Sequence, residues 1–89
     1  MVKKKWSVKR EYLGRNDFSW DYHYNNVFVR KSDADDFCRI LYANARDDGH
    51  DVNLITEVNI DKKGVQKERF VGFVDNTTDT RTVVYQREI

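Results

Sequence analysis

Ser32-Asp33-Ala34-Asp35-Asp36-Phe37-Cys38-Arg39-Ile40-Leu41-Tyr42-Ala43-Asn44-Ala45-Arg46-Asp47-Asp48-Gly49 is the one stretch with the period of a helix, and strand-like alternation lies on both sides of it. Ala34, Phe37, Cys38, Leu41 and Ala45 share one stripe of a 3.6-residue repeat, flanked by Ile40 and Asn44. Ser32 is placed to cap the first free N–H groups, Asp33, Asp35 and Asp36 suit the positive end of the macrodipole, and Gly49 suits the left-handed residue that ends a helix. A chain with one helix has one element with which to cover a sheet.

Upstream, Trp6, Val8, Arg10 and Tyr12 alternate with Lys5, Ser7, Lys9 and Glu11, the pattern of a half-buried strand. The turn cluster Gly14-Arg15-Asn16-Asp17 leads into Phe18, Trp20, Tyr22 and Tyr24, which alternate with Ser19, Asp21, His23 and Asn25. In the resulting hairpin the aromatic faces coincide when Val8 lies opposite Tyr22, or in the register two residues along. Asn25-Asn26 predicts a bulge or bend before Val27-Phe28-Val29 resumes the alternation.

Downstream, Val52, Leu54, Thr56, Val58 and Ile60 form one face of a strand that ends in the turn Asp61-Lys62-Lys63-Gly64. Placing Ile60 opposite Val65 predicts Leu54 opposite Val71 and Val52 opposite Phe73. A polar loop from Asp75 to Asp79 precedes a last strand, Arg81 to Ile89, with Val83, Tyr85 and Ile89 on one face. The prediction is a single domain over residues 1–89, a two-layer α+β fold with one helix packed on a five-stranded antiparallel sheet in the order β-β-α-β-β-β.

A helix of about 16 residues is roughly 24 Å long and about 10 Å wide, whereas five strands span roughly 24 Å. The helix therefore covers about half of one face. The aliphatic hairpin from Val52 to Phe73 is expected to seat Phe37, Leu41 and Ala45. The broad aromatics of the first hairpin are expected to stay partly exposed, with Val83 and Tyr85 on the helix side. Ile55, Phe70, Val74 and Val84 fall on the opposite, uncovered face, where Ile55 and Phe70 as cross-strand neighbours offer a homodimer contact.

Sixteen basic and fifteen acidic residues give a net charge of +1, which argues against a life based on bulk attraction to nucleic acid or anionic membrane. The distribution is uneven: residues 1–15 carry six basic side chains against Glu11, and residues 30–51 carry six aspartates against four basic side chains. Cys38, the single cysteine, has no partner for an internal disulfide and reads as a small buried hydrophobe. No run of ten apolar residues follows the basic start, so neither a signal peptide nor a membrane span is expected and a cytoplasmic location is the expectation.

Catalytic and metal chemistries find no support. His23 and His50 lack a second ligand at metal spacing, and the aspartates of 33–36 lack the glycine and terminal glutamate of a calcium loop. The four glycines make no phosphate loop. The expectation is a module without enzyme activity, cofactor or metal. Trp6, Arg10, Trp20, Tyr22 and Tyr24 are residue types that dominate binding hot spots, so a protein partner is the leading expectation, with the chain as an accessory or inhibitory module. The alternative is single-stranded nucleic acid or RNA, its phosphates held by Lys3, Lys4, Lys5, Lys9 and Arg10 and its bases stacked on the same aromatics.

Overall fold

One helix lies across one face of a five-stranded antiparallel sheet in the computed structural model, which describes residues 4–14 and 21–88. The elements are β1 (Lys4–Tyr12), β2 (Asp21–His23), α1 (Lys31–Asp47), β3 (Val52–Ile60), β4 (Gln66–Asp75) and β5 (Thr80–Glu88). This is the α+β architecture that the sequence predicts. The strand order is β2-β1-β5-β4-β3, so the first and last strands pair at the centre, from Lys4 opposite Glu88 to Tyr12 opposite Thr80. Lys3, Arg15, Phe18 and Trp20 lie outside the described residues.

The helix stripe is buried as its period predicts. Ala34 and Cys38 are fully buried, and Phe37, Leu41 and Ala45 pack around Val8, Cys38 and Phe73. Its start differs: the helix begins at Lys31 after Arg30, with no side-chain cap, so Ser32 already sits inside the first turn. Lys31 takes over the fastening, its Nζ 2.8 Å from Asp35 Oδ2 and 3.0 Å from the Phe70 carbonyl. The end is as expected. Gly49 adopts φ 84°, and the amides of Gly49 and His50 donate to the carbonyls of Arg46 and Ala45, both at 3.0 Å.

The first hairpin takes the second of the two expected registers, with Arg10 opposite Tyr22 and the Tyr24 amide on the Val8 carbonyl at 3.0 Å. Trp6 and Phe28 then pair at 2.8 Å in both directions, and the intervening Asn25-Asn26 bends out as predicted. The fully buried Ser7 pins that bend, its hydroxyl donating to the Asn26 carbonyl at 2.9 Å. Val27-Phe28-Val29 forms only the bridge at Phe28, and Val27 and Val29 are exposed.

Three expectations are corrected. Val84, rather than Val83 and Tyr85, joins the core, because Val8 lies opposite Val84 and so fixes which side of β5 faces the helix. The second hairpin pairs Ile60 with Gln66 and Leu54 with Phe73, and Val71 bulges out of β4 between Ile55 opposite Gly72 and Thr56 opposite Phe70. That extra residue reverses the alternation of β4. Phe70 therefore packs with the core under Arg39 instead of standing beside Ile55 on the outer face. Finally, the helix seats on β1, β4 and β5 more than on β3, so Leu54, Val58 and Ile60 are left exposed while Tyr24 is drawn into the core boundary.

Candidate binding surface

Alternation along β1 sends Trp6, Val8 and Arg10 to the helix side and Lys5, Lys9 and Glu11 to the other. Because Arg10 lies opposite Tyr22, both reach the same side at the short β2 edge. The Tyr22 ring meets Tyr24 edge-on at 4.9 Å, and Tyr24 in turn meets Phe37 of the helix at 5.6 Å. Tyr22 is 53% exposed, so this row of rings runs from solvent into the core.

Beside the row lies a cleft of about 170 Å³ between the end of α1 and the sheet, with Arg10, Tyr24, His50, Asp75 and Thr80 among its lining residues. Arg10 donates from Nε to Thr80 Oγ1 at 3.3 Å and from Nη2 to Thr78 Oγ1 at 3.1 Å. Across the cleft, His50 Nδ1 is 2.7 Å from Asp75 Oδ2, while Asp75 Oδ1 accepts the amides of Thr77 at 2.9 Å and Thr78 at 3.2 Å. Burial alone would raise the Asp75 carboxyl, but the His50 bond and the two amides outweigh it and hold the group below its ordinary value. The floor of the cleft is therefore a rigid, internally satisfied polar frame.

Of the residues singled out from sequence, Arg10, Tyr22 and Tyr24 come together. Trp6 does not join them. It lies four residues along β1, roughly 13 Å away, beside Phe28 with Lys31 and Arg69 over its ring at 6.0 and 5.8 Å. Trp20 and Lys3 lie outside the described residues. Lys4 is exposed, and Lys9 points to the outer face, 3.0 Å from Glu11 Oε1 and over the Tyr85 ring. Of the lysines on β1, Lys5 and Lys9 thus face away from Tyr22 and Tyr24, whereas Lys4 falls by the same alternation on the side of Trp6.

His23 stands exposed on that outer face, 3.0 Å from the Tyr85 hydroxyl. The His50–Asp75 pair was not legible from sequence. Its only local signals are a histidine after the helix-ending glycine and an aspartate opening a turn, and it is the placement of Asp75 opposite Val52 that brings the two together. No helix is long and apolar enough to cross a membrane among the described residues. Comparison with protein-family models, with curated proteins and with solved structures finds no match.

Proposed function

We propose that this protein is a small non-catalytic module that binds another protein through Arg10, Tyr22 and Tyr24 and modulates it, inhibition being the simplest form of that modulation. The supporting observation is Tyr22, an aromatic ring that is half exposed and packed edge-on against Tyr24, which is itself backed by Phe37. A ring already packed on a neighbour loses little side-chain freedom on binding, which is what hot-spot residues offer, and Arg10, opposite Tyr22 in the hairpin, has its guanidinium fixed on Thr78 and Thr80. Lys5 and Lys9 face away from Tyr22 and Tyr24, and a net charge of +1 supplies little attraction for phosphates, which favours this reading over a nucleic-acid groove.

Affinity capture with the wild-type chain, Tyr22→Ala and the surface control Ile40→Ala tests it. One specific protein is expected with wild type and control and is lost with Tyr22→Ala, whose unfolding midpoint stays within about 2 °C of wild type. Binding of single-stranded oligonucleotides with a steep salt dependence, and of no protein, would transfer the surface to the alternative.

A further inference from the structure

The two edges of the sheet are managed in opposite ways. β2 is described over three residues, Asp21–His23, and the bend at Asn25-Asn26 interrupts the edge beyond it. β3 is nine residues long and contains no lysine or proline, and the bulge where it pairs with β4 lies on β4, so the alternation of β3 itself is unbroken. Its outer side has no pairing partner among the described residues. Leu54, Val58 and Ile60 along it are 53%, 51% and 70% exposed. Such an edge is a template for strand addition.

The residues of β3 also say which strand. Val52, Leu54, Thr56, Val58 and Ile60 read the same in both directions about Thr56, aliphatic on either side of a central threonine. Asn53 and Asn59 are likewise symmetric about it, and Glu57 is the only charged residue of the strand. The hydrogen-bonding phase agrees. Asp51 and Asp61, just outside the two ends, turn their backbone groups towards β4 and its continuation, through Asn76 N–H to the Asp51 carbonyl at 2.8 Å and Asp61 N–H to the Val65 carbonyl at 3.1 Å. By alternation the even-numbered residues, Val52 to Ile60, present theirs to the open edge.

We propose that β3 pairs with β3 of a second copy of this chain, antiparallel about a two-fold axis at Thr56, giving one continuous ten-stranded sheet. Thr56 then lies opposite itself, Leu54 opposite Val58, Val52 opposite Ile60 and Asn53 opposite Asn59. Every exposed aliphatic meets an aliphatic, Glu57 meets Ile55 rather than another charge, and all five even-numbered residues exchange paired backbone bonds with the partner. Both helices lie on the same face of the joined sheet. The Arg10–Tyr22–Tyr24 surface is on the far edge of each copy and stays free, so this dimer stands or falls independently of the binding function.

Sedimentation of the full chain from about 1 µM to about 1 mM tests the pairing, since strand addition over roughly 30 Å makes a weak dimer. The mass is expected to rise from 10.7 kDa towards twice that value. Thr56→Pro removes an N–H that faces away from β4 and is expected to weaken the dimer at least about tenfold. Leu54→Glu and Val58→Lys, both at exposed positions, are each expected to weaken it similarly. Combined, they place opposite charges across the seam and restore the affinity to within about threefold of wild type. A monomer at all concentrations, or a dimer indifferent to these three changes, overturns the proposal. Failure of the double variant to regain affinity overturns the Thr56-centred register.

Discussion

Cys38 sits at the point where helix and sheet meet, fully buried with its thiol 3.9 Å from the Thr82 carbonyl. Burial first, and the nearby Asp35 carboxylate second, push the thiol up to about 12, so it carries no useful thiolate at neutral pH. The native protein at pH 8 is expected to react with iodoacetamide at least about a thousandfold more slowly than the denatured chain. Labelling at the denatured rate would show that the helix does not stay seated. Asp75 is the polar counterpart, 3% exposed and holding His50 and two loop amides at once. Asp75→Ala strands those donors and is expected to cost about 2–4 kcal/mol in urea unfolding, with Asp75→Asn costing less because one acceptor oxygen remains.

Among the elements, β4 does the most to shape the molecule. Its bulge at Val71 lets both Phe70 and Phe73 face the core, and Gly72 beside it is packed so tightly that a Cβ would run into the Thr82 carbonyl and the Val83 backbone of β5. Gly72→Ala is therefore expected to destabilise by more than about 2 kcal/mol, read as a lower denaturant midpoint at unchanged slope. A neutral result would mean that β4 and β5 have room to separate there. The bulge also explains why strand alternation misplaces Phe70 relative to Ile55. One unpaired residue flips every side chain beyond it, and although Gly72 within a strand hints at a bulge or a close approach, the run of apolar residues does not say which residue is left unpaired.

For the molecule as a whole, the β3–β4 hairpin extends beyond the cover of the helix. The radius of gyration of 14.5 Å exceeds the roughly 12 Å expected of a compact chain of this length. Two carboxyls tie the rest together and set the acid limit. Glu11 is held below its ordinary 4.5, first by its hydrogen bond to Arg81 and then by Lys9 against the opposing effect of burial, and Asp75 is held below 3.8. Each binds its proton less readily folded than unfolded. Their stabilisation is complete above those ordinary values and is lost as pH falls through the lower folded ones. Thermal scans are expected to show this loss only below about pH 4.5, with Glu11→Gln flattening part of it. A fall already under way near pH 6 would mean that other groups govern acid unfolding.

Local chemistry by itself determined the helix, its buried stripe and its glycine stop, the bend at Asn25-Asn26 and the fold class. These follow from periods and backbone preferences that act within a few residues. Arg10, Tyr22 and Tyr24 were legible as one group for the same reason, since a hairpin register carries alternation across only one turn. Tertiary structure alone decided the strand order, the side of β5 that faces inward, the pairing of His50 with Asp75, and the placing of Trp6 beside Phe28 rather than with Tyr22 and Tyr24. It also decided that the helix covers β1, β4 and β5 more than β3. Residues 24 to 51 separate the two hairpins, and only the pairing of β1 with β5 sets where the helix comes to rest. That pairing leaves the apolar edge of β3 open, a consequence of long-range contacts that no local period records.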